Sequence, residues 1–245
     1  MRVVVTLYFY YVFTNFAFSK ARGIETTNDK KQEARLSGVL LVFSEHLNKL
    51  GVDIVEWIKT VDPNILFWIQ KYIASSTLNP YMLALSKIGN AGMIWIFFSF
   101  LALTRRKYRL LGVAILLALT ISLLVGEGIL KPLVARVRPC INYPWVHLLI
   151  HTPKATNYSF PSGHTFASFA AAMAIFSANK KIGIFALMLA AAIGFSRLYL
   201  FMHYPSDVLA GALFGSISGV AAYGLCRHLV KSSVGQKISS RYIDI

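Results

Sequence analysis

RLLGVAILLALTISLLVGEGIL, residues 109–130, decides the class of this protein. After the leading Arg109 its one charged side chain is Glu127. The rest is apolar, and a bilayer core is crossed by about 20 such residues in a helix. Residues 206–226, SDVLAGALFGSISGVAAYGLC, match that length with one acid, Asp207. Residues 84–103, 162–178 and 182–200 are shorter or carry a polar residue, and they read as spans on the same grounds. The expected fold is all-α: a polytopic membrane helical bundle with five core spans.

Composition supports this. Of 245 residues, 56% are hydrophobic and only 14% charged, too apolar for an ordinary soluble domain. A formal charge of +15 would suit nucleic acid if Lys and Arg gathered on one polar face. Here they cap apolar segments instead, so the partner is the lipid bilayer and no nucleic acid is expected. RRKYR (105–109), NKK (179–181) and Arg227, Lys231, Lys237 and Arg241 mark three positive regions. The positive-inside rule places them in the cytoplasm. The intervening ends, near 131–161 and 196–207, then face outside.

The N-terminal part divides differently. Residues 1–18, MRVVVTLYFYYVFTNFAF, read as a signal peptide or an uncleaved anchor, either of which delivers Ser19 outward. Lys20, Arg22, Lys30, Lys31 and Arg35 pull the other way, and the three downstream regions outweigh them. Residues 38–77 mix apolar and charged positions and read as amphipathic helices on the membrane surface. The expected organisation is an N-terminal hydrophobic segment and polar linker over 1–52, the bundle domain over 53–230 and a cytoplasmic tail over 231–245. Cys140 and Cys226 fall at opposite ends of different segments, so no disulfide joins them. Gly211, Gly215 and Gly219 recur at four-residue spacing, which lets helices approach closely in lipid, and packing inside one bundle is favoured over a dimer interface.

Three polar clusters meet at the outer ends of the spans. In KPLVARVRP (131–139), Lys131 and Arg138 share a face if the segment is helical, although Pro132 threatens the helix between them. Lys supplies a point charge and Arg a planar fork for a phosphate; alone, the cluster is better read as a snorkelling girdle. In FPSGHT (160–165), Pro161 suits a first helical turn, and Ser162, Gly163 and His164 then present backbone N–H groups at the positive end of the dipole. A plain capping role suits Ser162 better than His164. In SRLYLFMHYPSD (196–207), Pro205 restarts a helix whose first turn holds Asp207. Capping explains the Asp but not Arg197 and His203, because ionisable groups at membrane depth seek partners and mark function.

A His four residues before an Asp, beside three cations, suits phosphoryl transfer. A neutral imidazole attacks phosphorus while a carboxylate holds its other ring N–H, and cations stabilise the equatorial oxygens. A second His protonates the leaving oxygen. Asp207 and two His would make a thin metal shell among repelling cations, so no metal and no other cofactor is expected.

Lys131 with Arg138-Pro139, Pro161-Ser162-Gly163-His164, and Ser196-Arg197 with His203 and Asp207 resemble the three-part signature of the type 2 phosphatidic acid phosphatase superfamily, K-x6-R-P, P-S-G-H and S-R-x5-H-x3-D. Every position is filled, and the resemblance covers roughly residues 60–228. It implies a helical bundle in which His203 is the nucleophile, Asp207 orients it and His164 is the general acid. Lys131, Arg138, Ser162, Gly163 and Arg197 would bind the phosphoryl oxygens without a metal. Arg136 is an extra cation beside the signature, and Glu127 stands four residues before Lys131, within helical pairing reach.

The expected function is therefore an integral-membrane lipid phosphatase acting on the outer face through a phosphohistidine, with a membrane lipid as substrate. The compact five-span core is similar to bacterial undecaprenyl pyrophosphate phosphatases. Phosphatidylglycerophosphate or phosphatidate phosphatases and lipid phosphotransferases share the motifs, and the soluble vanadium haloperoxidases resemble them too. A non-catalytic transporter would keep its charges near mid-membrane between repeats, unlike this chain. In the loop 140–160, Trp145, His147 and His151 are the candidate substrate contacts.

Overall fold

In the computed structural model, Lys49 and residues 56–154 and 156–232 are described. The hydrophobic segment 1–18, nearly all of the linker and the tail beyond 232 lie outside them. One compact unit begins at Ile58. Every regular element among the described residues is helical.

The first helix, α1, covers residues 56–72. Asp62, Leu66 and Ile69, spaced to share one face, are buried, while Ile65, Trp68 and Tyr72 are exposed. The expected amphipathicity is present, but the buried face docks on protein: Leu66 packs with Phe201 and Tyr204, and Ile69 with Tyr199, Leu200 and Met202. The helix thus roofs the segment that carries His203.

α2 (Asn79–Ile88) and α3 (Met93–Thr104) flank a short turn in which Ala91 and Gly92 are left-handed, and the two helices bend by 49°. α4 (Arg109–Ser122) continues through a π-helical stretch, Leu123–Leu130, into α5 (Lys131–Val134). Pro132 does not break that helix: the chain stays helical from the π-helical stretch through Val134. The break falls at Ala135, which is left-handed with φ 48°. Lys131 and Arg138 are therefore not joined by one helical face; the chain turns between them.

α6 (Pro139–Asn142) is one turn, followed by an irregular stretch, and then come α7 (Gly163–Ala178), α8 (Lys180–Tyr199) and α9 (Pro205–Lys231). Three helical stretches are long and apolar enough to cross a membrane, Arg106–Asn142, Lys180–Tyr199 and Pro205–Lys231, and the bent pair α2–α3 makes a fourth. Residues 162–178, expected as a fifth span, form the 16-residue α7, about 24 Å at 1.5 Å per residue, an apolar helix shorter than the spans above. This helix packs against α4, α8 and α9 and buries Ala170, Ala171, Ala172 and Ala174 completely. Enclosed by neighbours, it needs small residues more than length. Asn179 ends it and caps α8, accepting the Ile182 N–H at 3.2 Å.

Small residues bring α9 onto α7. A side chain at Gly215 would lie 2.5 Å from the Phe166 carbonyl oxygen, and one at Gly211 2.8 Å from that of Ser162. The glycine stripe therefore packs inside this bundle. Buried hydrogen bonds add specificity: Trp95 Nε1 donates to Ser168 Oγ at 3.0 Å, and Ser99 Oγ to the Gly112 carbonyl at 2.8 Å. Cys140 and Cys226 are both buried and free.

Candidate active site

All three motif clusters converge where α4–α5 ends, α7 begins, α8 ends and α9 begins. The runs RRKYR and NKK sit at the opposite ends of α4 and α7. Arg138, Lys131 and Arg197 are only 5%, 8% and 6% exposed, so three cations are held away from water. His164 lies within electrostatic reach of Arg197, His203, Arg138 and Lys131.

His203 stands in the connection between α8 and α9 and is 1% exposed. Phe201, left-handed with φ 58°, turns the chain there. His203 Nδ1 is 2.8 Å from the Ser159 carbonyl oxygen, and Nε2 is 3.1 Å from Arg138 Nη1. A carbonyl only accepts and a guanidinium only donates, so the proton belongs on Nδ1 and the lone pair on Nε2. Burial holds this imidazole far below its usual titration, at about 3, opposed by Asp207 and assisted by Arg138 and Arg197. The group is neutral across the physiological range.

Asp207, fully buried, is near His203 but does not hold its ring N–H. Its Oδ2 lies 3.8 Å from Nδ1, beyond hydrogen-bond distance. Oδ2 instead accepts from Ser159 Oγ at 2.5 Å and from the Tyr204 N–H at 2.9 Å. One carboxylate thus caps α9 and binds Ser159. Ser159 stands between the pair: its carbonyl takes the histidine proton and its hydroxyl binds the aspartate.

Arg138 also donates to the Met202 carbonyl at 3.1 Å and, on its other edge, to the Asn157 carbonyl at 2.7 Å and Oδ1 at 2.9 Å. Arg197 donates through Nη1 to Ser86 Oγ, while its buried Nε has no partner. A buried guanidinium N–H without an acceptor is costly, and an anion is the natural partner. Lys131 Nζ contacts both carboxylate oxygens of Glu127, at 2.6 and 2.7 Å. Beside them lies the backbone of Gly163: a side chain there would collide with Glu127 Oε1 and lie 3.8 Å from Lys131 Nζ. A side chain at 163 would have to displace the Glu127 carboxylate.

Ser162, 0% exposed, accepts from Thr165 Oγ1 at 2.9 Å, and its N–H donates to the Asp207 carbonyl at 3.1 Å. Its side chain makes no capping hydrogen bond to α7, so the plain capping account fails. All eight motif residues are thus placed at one end of the bundle. Four others were not assigned by sequence: Ser159, Asn157, Ser86 and Asp62. Ser159 and Asn157 belong to the loop that was suspected, but not to its aromatic or His positions; Trp145 is 72% exposed. Arg136, the extra cation, turns away from the other three and binds carboxylates.

A profile of the PAP2 superfamily matches residues 110–230, a window holding every motif residue. An undecaprenyl-diphosphatase of Sulfolobus acidocaldarius is 34% identical over 152 residues, 62% of this chain and 72% of that protein. A lipid A 4'-phosphatase of Bacteroides thetaiotaomicron is 33% identical over 122 residues, 48% of this chain and 54% of that protein. This chain thus spans about half the length of the latter. Among solved structures, Aquifex aeolicus LpxE superposes with a TM-score of 0.56 at 25% identity, over 67% of this chain and 96% of that one.

Proposed function

Because this chain belongs to the PAP2 superfamily, we propose that it is an integral-membrane lipid phosphatase that takes the terminal phosphate from undecaprenyl pyrophosphate at the outer face of the membrane. The observation that carries the reading is the set of three buried cations around two histidines, one of them with an unpartnered N–H. Such a pocket demands a multiply charged anion with several acceptor oxygens.

His203 Nε2 attacks the terminal phosphorus, and the bond from phosphorus to the bridging oxygen breaks. His164, protonated when the diphosphate anion offsets the neighbouring cations, gives its proton to that oxygen, releasing the lipid monophosphate. Water then attacks the phosphohistidine with His164 as base, the N–P bond breaks, and inorganic phosphate leaves. Arg138, Arg197, Lys131, Ser162 and the Gly163 N–H bind the equatorial oxygens. The entering phosphoryl group takes over Arg138 Nη1 and thereby frees the Nε2 lone pair. Ser159 and Asp207 stabilise the imidazolium-like product of attack. The chain's own cations supply the charge stabilisation, so no metal is assigned a step.

The lipid is supported by the undecaprenyl-diphosphatase relative and the outward site by the positive-inside pattern. Purified protein in detergent is expected to release phosphate from undecaprenyl pyrophosphate faster than from phosphatidylglycerophosphate, phosphatidate or lipid A, and to keep its rate in a chelator. A faster rate on any of the other three would move the assignment to that lipid. Transfer of the phosphate to an added lipid alcohol in place of water would make the protein a phosphotransferase.

A further inference from the structure

We infer that Asp62 and Arg136 are positioning residues for the nucleophile pair, an inference that rests on the assignment of His203 above. Arg136 Nη1 donates to Asp207 Oδ1 at 2.7 Å, and Nη2 donates to Asp62 Oδ2 at 2.6 Å. One guanidinium therefore bridges two carboxylates that are 0% and 3% exposed. Ser206 closes the ring: its hydroxyl accepts from Arg136 Nη1 at 2.7 Å and donates to Asp62 Oδ2 at 2.5 Å, and its N–H reaches Asp62 Oδ1 at 3.0 Å. The guanidinium also lies over the Tyr204 ring, 4.0 Å from its centre. Both terminal nitrogens of Arg136 are thus committed to protein acceptors.

The two oxygens of Asp207 are thus divided. Oδ2 faces Ser159 and the histidine, and Oδ1 is held from behind by Arg136. Without the bridge, the carboxylate is held through Oδ2 alone, by the Tyr204 N–H and Ser159, and Ser159 faces a less firmly fixed acceptor. Asp62 lies on α1, outside the matched window 110–230, so the helix that roofs His203 also helps to aim its partner. A half-buried cation between two buried acids is worth little to stability and much to geometry, because removing one member leaves an unpaired charge. The bridge acts through Asp207 and touches no substrate.

The test uses the full chain in detergent with undecaprenyl pyrophosphate, comparing wild type, Asp62→Asn, Arg136→Ala and the double variant. Loss of an outer partner is expected to lower kcat about 10- to 100-fold while KM stays within about twofold. The double variant should lose no more than Arg136→Ala alone, since the residues act as a unit. Added methylguanidinium should restore part of the Arg136→Ala rate. A wild-type kcat in Asp62→Asn overturns the inference. So does a loss of kcat that methylguanidinium leaves untouched and that tracks a lowered melting temperature, the mark of a strut. Should Arg136→Ala not fold, the kcat and KM of the near-isosteric Asp62→Asn decide alone. A wild type that releases no phosphate refutes the underlying function and this inference with it; an active wild type beside an unimpaired Asp62→Asn refutes the inference only.

Discussion

Arg138 donates to four acceptors: the Met202 carbonyl, His203 Nε2, and the carbonyl and side-chain oxygens of Asn157. Only a planar fork can do this, so Arg138→Lys keeps the charge and loses the placement. Each lost charge-assisted hydrogen bond is worth about 1.5–3 kcal/mol. The expected outcome in steady-state assays is a fall in kcat/KM of at least about tenfold, and an unchanged value would show that charge alone suffices. Ser159→Ala makes a second prediction. It keeps the carbonyl that holds the His203 N–H but removes the hydroxyl on Asp207, so kcat should fall several-fold with the fold intact by melting temperature. The motif residues were legible because Lys, Arg, His and Asp are rare in apolar spans. Ser159 was not, since its main contact is a backbone carbonyl that any residue carries, and a loop serine signals nothing by itself. Asp207 lies near His203, but its link to the ring runs through Ser159 and not through a direct hydrogen bond.

At the scale of elements, α7 and α9 are held together by what is missing. Gly215→Leu must push the helices apart at the Phe166 carbonyl and Phe169 Cβ, the latter 2.9 Å from the added carbon. Overpacking of this kind costs about 1–3 kcal/mol. A lower melting temperature in detergent is the expected result, and a melting temperature unchanged with an altered oligomeric state would put the stripe at a dimer interface instead. The long apolar runs were legible because length and hydropathy suffice for them. α7 was harder: its alanines serve helix–helix contact, and its 16 residues fall short of the criterion for a span. The turn between Lys131 and Arg138 is made by the left-handed Ala135 and not by Pro132, and alanine carries no such signal in a sequence. For α1 the amphipathic pattern was visible, but the pattern cannot say whether membrane or protein covers the apolar face.

For the whole molecule, the arrangement puts the site at one end of the bundle and the positive loops at the other. Sidedness follows if those loops are cytoplasmic. In intact cells, Lys154→Cys should react with an impermeant thiol reagent from outside and Asn179→Cys should not; both positions are exposed, and the native Cys140 and Cys226 are buried. The reverse labelling would place the site in the cytoplasm. The bundle was legible from charge and hydropathy together, yet the docking of α1 onto the site was not, since it depends on contacts between segments far apart in sequence. The central claim is that this chain cleaves a lipid phosphate through His203. It is tested most directly by phosphate release from undecaprenyl pyrophosphate by purified wild type and His203→Ala in detergent. The account predicts a loss of at least about a thousandfold, as removal of a nucleophile brings, and a wild-type rate in His203→Ala would contradict it.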